Sequence, residues 1–522
     1  MFDEPQTFAD IARIWAARAG HRVALVSGSR EVSWKRLHDR AARVAAGLRS
    51  CGLAVQDRVA ILTRNAPEYF DVLFGASMAN MVATPINWRL SVREMVAVLN
   101  DCECRVLVAE SDLLGPLAAV LSDLGRLEKV LVVGAPSEDL GDARMESYEP
   151  WLAAQRADDP AIPVGEGDVV AQLYTSGTTG TPKGVMLNRR NVAGYFAGGE
   201  LYGFRPASAN LVVMPLFHVG GLWWSIIGMA LGATTVLLRE FDADTVLRLI
   251  ARERITHALL VPAALQALVQ SPAATACDLS AMRTVMYGAS PISDEVLERC
   301  LELFACDFHQ TYGLTETSGV LTRLGPEDHR ARRHLRSAGR PLPGVTLKVV
   351  DPATGEPPDA DEPGEIWVRS PQVMAGYWRR EAETHAAITP DGWFRTGDIG
   401  MIRDGLLYLR DRLKDMIVSG GENIFPAEVE NVLMAHPAVR DAAVIGVPSE
   451  RWGEEVKAIV VAATGEPLTA AELIAFARTR LAGYKVPKSV TFVSALPRNP
   501  SGKVLKKELR APYWAGRQRQ IS

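Results

Sequence analysis

The residues Leu173-Tyr174-Thr175-Ser176-Gly177-Thr178-Thr179-Gly180-Thr181-Pro182-Lys183-Gly184-Val185 gather hydroxyls, glycines and one lysine at a spacing that suits an anion. Gly177, Gly180 and Gly184 can take backbone angles closed to other residues and let main-chain N–H groups approach a phosphate, while the hydroxyls and Lys183 add donors and charge. Val169 to Tyr174 before the loop and Val185 to Leu187 after it read as apolar strands, so the chemistry lies in the turn between them. The loop is not a Walker A sequence, because neither Gly177 nor Gly180 stands five residues before a Gly-Lys-Ser/Thr. Its predicted chemistry is the binding of a polyphosphate.

Further along, Gln310-Thr311-Tyr312-Gly313-Leu314-Thr315-Glu316-Thr317 offers a flat ring, a hydroxyl and a hard oxygen ligand in one turn. Tyr312 suits a base, Thr315 a phosphate and Glu316 a divalent cation such as Mg²⁺. Val285 to Pro291 carries Gly288, Ala289 and Ser290 at the end of an apolar run, and Trp393 to Asp398 ends on an acid fit to accept hydroxyl hydrogens. His218 follows the apolar run Val212 to Phe217 and precedes Gly220, Gly221, Leu222, Trp223 and Trp224, a stretch free of charge to Met229. A ligand tail lodged there is expected to be uncharged, since burying an unpaired ion costs several kcal/mol. The two tryptophans either shape such a pocket or belong to the core. Near the end, Pro497-Arg498-Asn499-Pro500-Ser501-Gly502-Lys503 places a cation on a turn.

In type and order these motifs resemble those of the adenylate-forming superfamily: acyl-CoA synthetases, luciferases and the adenylation domains of nonribosomal peptide synthetases. The resemblance covers essentially the whole chain and implies an ATP-dependent acyl-CoA synthetase that makes an acyl adenylate and pyrophosphate, then passes the acyl group to coenzyme A. It implies catalytic roles for Lys503, Thr315, Glu316 and His218, with Mg²⁺ held by Thr175 and Glu316. Nucleotide binding falls to Thr175, Ser176, Gly177, Thr178, Thr179, Gly180, Lys183, Gly288, Ala289, Ser290, Gln310, Thr311, Tyr312 and Gly313, with Asp398 on the ribose. Arg412 reaches ribose or phosphate, and Lys414 stands where the family has its pivot, so a small C-terminal domain is expected to swing between the two half-reactions.

The acid is expected against His218, Gly220, Gly221, Leu222 and Trp223. Peptide synthetases usually carry an aspartate where this chain has His218, which argues against an amino acid. A medium- to long-chain fatty acid is favoured; an aryl or alicyclic acid, or a carrier protein as acceptor, are the alternatives. A luciferase-like oxygenase is not required by any residue, and intact Lys503 and Glu316 argue against a noncatalytic sensor. The segment around Lys503 also fits the pattern that lysine acetyltransferases modify in such enzymes.

The elements that must position these residues alternate. From Ser33, Leu37, Ala41, Val44 and Leu48 lie at helical spacing; strands are predicted at 59–62, 82–85, 105–109 and 130–133, with a helix over 69–81. Such alternation predicts an α/β fold of βα units with mostly parallel sheets in residues 1–411 and a small mobile α+β domain in residues 412–522. At 522 residues the chain is too long for one core. A net charge of -4 argues against nucleic acid as a partner. No apolar run reaches the roughly 18 residues of a membrane span and no signal peptide is read, so a cytoplasmic location is expected. Six scattered cysteines are read as structural thiols, and Trp88 as a half-buried anchor. From Lys485 on, nine basic residues face one acid, Glu508; part of that excess is a candidate for the phosphates of coenzyme A. Oligomeric state is left open, a homodimer included.

Overall fold

The computed structural model describes residues 5–134, 142–175, 182–196, 199–352, 354–359, 362–420, 422–463, 468–498 and 503–515. The large N-terminal domain is built on two mixed sheets. In one, the strands Met145–Ser147, Lys129–Val133, Val106–Glu110, Arg58–Leu62, Val82–Pro85 and Val169–Thr175 run parallel, and Lys183–Asn188 and Gly376–Tyr377 close the edge antiparallel. In the other, Val23–Ser27, Thr234–Leu237, Ala209–Val212, His257–Leu260, Thr284–Gly288 and Asp307–Tyr312 run parallel between antiparallel edges. Strands buried on both faces explain the uninterrupted apolar runs at 59–62 and 130–133.

The Trp34–Ser50 helix starts at Ser33, whose hydroxyl accepts the Arg36 N–H, and buries Leu37, Ala41, Val44 and Leu48 as its spacing requires. The Pro67–Met78 helix is buried at every residue. It is shorter than the span expected over 69–81, because Asn80 takes φ 51° and turns the chain into the Val82–Pro85 strand. Asn80 tolerates that conformation and is fixed there by donating its amide to Pro163 O and Asp168 Oδ2 at 2.9 and 2.8 Å.

A third sheet, not anticipated as a unit, is wholly antiparallel: Thr346–Val350, Gly364–Arg369, Phe394–Arg403 and Leu406–Arg412. The small C-terminal domain has its own sheet, including the long hairpin Val439–Ser449 with Gly453–Ala462, and its own core around Ile417, Val429, Leu433, Val444, Val456 and Leu473. Four of the nine late cations are engaged inside it: Lys485 with Glu428, Arg498 with Asp441, Lys506 with Glu430 and Arg510 with Asp415. Among the described residues no helix is long and apolar enough to cross a membrane. Cys51, Cys102, Cys104, Cys277, Cys300 and Cys306 are free thiols.

Candidate active site

The strands Val169–Thr175 and Lys183–Asn188 form a hairpin whose last pair is Thr175 opposite Lys183. Both stand at the mouth of the phosphate-loop segment; Ser176, Gly177, Thr178, Thr179 and Gly180 lie outside the described residues. Gly184 owes its identity to packing, not to special backbone angles: a Cβ there would lie 2.6 Å from Gln172 Nε2 and 3.1 Å from the Tyr174 ring. The ammonium of Lys183 sits 5.0 Å from the centroid of the Tyr377 ring, and the Tyr377 hydroxyl donates to Glu316 Oε1 at 3.0 Å. Tyr377 therefore ties the phosphate-loop lysine to the expected metal carboxylate. It reaches them because the Gly376–Tyr377 strand pairs with the hairpin, Tyr377 opposite Val185.

The Asp307–Tyr312 strand delivers Gln310, Thr311 and Tyr312, and a single helical turn over Thr315–Thr317 holds Thr315 and Glu316 half-buried at its end. That turn is compact enough that a Cβ on Gly313 would lie 1.4 Å from Gly319 O, so no side chain is possible there. Gly288 is likewise a close-packing glycine, its missing Cβ 2.2 Å from Thr311 O in the paired strand. Ala289 next to it is exposed and held at φ 68°, a left-handed conformation uncommon for alanine, and Ser290 follows half-buried.

Asp398 is 5 % exposed, and both oxygens already have a donor: the Tyr312 hydroxyl at 2.7 Å and Arg412 Nε at 2.6 Å. Each oxygen keeps a further lone pair for a ribose hydroxyl. Asp398 and Arg412 are cross-strand partners, which fixes their approach. The neighbouring carboxylate raises the pKa of the Arg412 guanidinium, whereas burial lowers that of Lys414.

The docked small domain brings Lys503 into this cluster. Burial, with repulsion from Arg412 and Lys414 outweighing part of the attraction of Asp398 and Glu316, pushes its ammonium down to about 8. His218 is close enough to feel Lys503 and Arg89; burial first, then those two cations, push the imidazole down to about 4, so it is neutral at pH 7. Its Nε2 is buried and makes no hydrogen bond among the described residues. Trp88 packs edge-on against Phe217 at 6.3 Å, with Arg89 over its ring at 4.7 Å, a half-buried anchor as expected.

After His218 the chain enters the Val219–Ala230 helix, and here the acid-binding expectation needs correction. Val219 and Gly220 are half-exposed, but Gly221 is jammed against Pro215 O and Met214 O, and Leu222, Trp223 and Trp224 are 0, 1 and 1 % exposed. Trp223 packs on Phe8 and Tyr195, Trp224 on Tyr202 and Phe204. The tryptophans are core residues in this arrangement. Beside them, a Cβ on Gly319 would meet Trp223 Cδ1 at 3.5 Å, Tyr195 Cε2 at 3.7 Å and Val219 Cγ2 at 3.8 Å, ordinary packing distances.

The structure thus brings together Lys183, Glu316, Tyr312, Asp398, Arg412, Lys414, Lys503 and His218. Tyr377 and Arg89 were not found from sequence. An aromatic after glycine in Gly376-Tyr377-Trp378 is a weak signal, and Arg89 is one arginine among many. As to a metal, no group of three or more His, Cys, Asp or Glu side chains is poised for one among the described residues. One carboxylate with only a neutral phenol on it, plus the Thr175 hydroxyl, fits Mg²⁺ delivered on a nucleotide, since that ion keeps most of its waters and takes phosphate oxygens.

A family model described as AMP-binding enzyme matches residues 12–378, and one described as AMP-binding enzyme C-terminal domain matches residues 428–503. The chain is 39% identical to a fatty acid–[acyl-carrier-protein] ligase, ScoC, of Streptomyces coeruleorubidus, over 99% of this chain and 98% of that protein. It is 40% identical to a feruloyl-CoA synthase of an Amycolatopsis species, over 95% of this chain and 97% of the relative. Among solved structures, the anthranilate CoA ligase AuaEII with anthranoyl-AMP superposes with a TM-score of 0.88 at 26% identity, covering 97% of both chains.

Proposed function

This chain belongs to the AMP-binding enzyme family and is an AMP-forming acid–thiol ligase, and from that premise we propose that it joins a medium- to long-chain fatty acid to coenzyme A. The observation that carries this reading is that Lys503 is within electrostatic reach of Asp398, Arg412 and Glu316 and also of His218. A cation that interacts with both the expected nucleotide residues and the expected acid-site histidine suits the step in which an acid oxygen and an α-phosphate meet.

In the first half-reaction a carboxylate oxygen attacks the α-phosphorus, the bond to the bridging oxygen breaks, and pyrophosphate leaves. In the second, the coenzyme A thiolate attacks the acyl carbonyl and AMP leaves. Glu316 and Thr175 would hold Mg²⁺, which would supply charge neutralisation on the phosphates when bound. Asp398 receives the ribose hydroxyls, and its bond to the Tyr312 hydroxyl sets the ring that borders the base. Lys183 meets the outer phosphates; Thr315 and Lys503 offset charge at the α-phosphate. His218, neutral and with Nε2 unpartnered among the described residues, offers the acid a hydrogen-bonding group without adding a second cation.

We place the domain division at 411/412, with rotation about Lys414 separating the half-reactions. Lys503 is then shielded from a lysine acetyltransferase while docked and reachable when the domain swings away. The aliphatic acid is supported by the relative acting on fatty acids. One observation favours an aryl acid instead: the likeness extends to a feruloyl-CoA synthase and to an anthranilate CoA ligase. Pyrophosphate release against acids from acetate through long-chain fatty acids to benzoate and cinnamates, with and without coenzyme A, tests the reading. A peak at fatty acids that needs coenzyme A for turnover is expected. A peak at ring acids, or turnover with a carrier protein and not with coenzyme A, would replace it.

A further inference from the structure

Lys503 reaches the site only while the small domain is docked, so the contacts that hold it docked bear on the first half-reaction. Asp411 makes such a contact. It lies in the Leu406–Arg412 strand, paired opposite Ile399, on the large-domain side of Lys414. Its Oδ1 accepts the Arg412 N–H at 2.7 Å, and its Oδ2 accepts the Ala427 N–H at 2.8 Å.

Ala427 is the second residue of the Pro426–Met434 helix of the small domain. Pro426 has no N–H, so the Ala427 N–H is the first donor that helix presents. Phe425 stands at the capping position and makes no side-chain cap. A carboxylate from across the hinge therefore does what a capping side chain does elsewhere, at the helix end where an anion is favoured. The same carboxylate attracts Lys506, which is ion-paired to Glu430 at 2.9 Å. Lys506 belongs to the segment that carries Lys503, and that segment is closed at its base by Leu505 N–H donating to Pro497 O at 2.8 Å and by a bridge between Arg498 and Val504.

We propose that Asp411 is the latch of the docked arrangement, a positioning residue that caps the small domain's first helix and draws in the Lys503 segment, and that is released when the domain rotates. A turn about Lys414 leaves Asp411 in its sheet and carries Ala427 and Lys506 away together. The inference rests on the reading that docking and rotation serve different half-reactions.

The test measures both halves on the full chain: ATP–pyrophosphate exchange with the best acid, and thioester formation from supplied acyl-AMP and coenzyme A. Asp411→Ala is expected to slow exchange about tenfold, the population shift that loss of one helix cap produces, while thioester formation stays at or above the wild-type rate. Asp411→Asn keeps one acceptor oxygen where the carboxylate offers two and loses the charge that attracts Lys506, so it is expected to slow exchange about threefold with thioester formation unchanged. Equal loss of both halves in either variant, or undiminished exchange in Asp411→Ala, overturns the latch. Should the alanine variant not fold, the asparagine variant decides by the same split: a selective deficit in exchange sustains the latch, and wild-type exchange with wild-type thioester formation removes it. A wild-type chain that exchanges pyrophosphate with no acid would fail earlier and sink the functional reading itself.

Discussion

Lys503 makes the proposed chemistry pH-sensitive in a way an ordinary lysine would not. Its ammonium, normally titrating at 10.5, is pushed down to about 8 by burial and by Arg412 and Lys414, against the pull of Asp398 and Glu316. The sign follows: the folded, docked chain disfavours the charged form, so the cation is present below pH 8 and lost above it. At pH 7 about 90% of the free enzyme carries the charge, and at pH 9 about 10%. ATP–pyrophosphate exchange, run without coenzyme A so that its thiol does not titrate in the assay, should show kcat/KM for ATP falling about tenfold per pH unit above 8. In kcat the same limb should lie at higher pH, because bound phosphates favour the ammonium. Lys503→Arg is the control, since a guanidinium stays charged throughout; whatever rate it keeps should show no such limb. A wild-type kcat/KM flat to pH 10, or a limb unchanged in Lys503→Arg, would refute the assignment of the charge to Lys503.

Lys503→Ala should cost exchange about 10²–10³-fold, as loss of one stabilising donor does, yet spare thioester formation from supplied acyl-AMP; equal losses would count against a lysine used in one half only. Tyr377→Phe removes the hydrogen bond to Glu316 but keeps the ring under Lys183, so KM for MgATP should rise about fivefold, in line with roughly 1 kcal/mol for one hydrogen bond, with kcat little changed; the reverse pattern would place Tyr377 in the chemical step. Gly313→Ala drives a methyl to within 1.4 Å of Gly319 O and should lower the thermal midpoint as well as abolish exchange, overpacking costing about 1–3 kcal/mol; a variant of wild-type stability would contradict the close turn. Gly319 sits at φ 101°, a conformation that alanine rarely adopts, so Gly319→Ala should lower the thermal midpoint through backbone strain; a variant of wild-type stability would contradict that conformation.

What the sequence made legible was chemistry spelled locally. A turn of glycines and hydroxyls, a Tyr-Gly-Leu-Thr-Glu run and a lysine on a late turn each declare a function by residue type, and alternating apolar runs declare parallel sheets. What it hid depends on register. Tyr377 acts because its strand pairs with the Lys183 hairpin, and Arg89 because its segment packs beside His218; neither neighbour is close in sequence. The tryptophans were open for a related reason: a helix apolar all round has no periodicity to say which side meets a ligand, and the packing of Phe8 and Tyr202 settled it. Gly184 misled in the opposite direction: its missing side chain makes room for Gln172 and Tyr174, a contact no local pattern records. Asp398 joins both cases. Its motif marks an acid suited to a ribose, but only the pairing of its strand with Leu406–Arg412 shows that the same carboxylate already orients the Tyr312 ring and holds Arg412, the residue from which the chain turns into Leu413, Lys414 and the hinge. The proposed nucleotide site and the strand that leads to the proposed pivot are therefore organised by one side chain, and a substitution there acts on both at once.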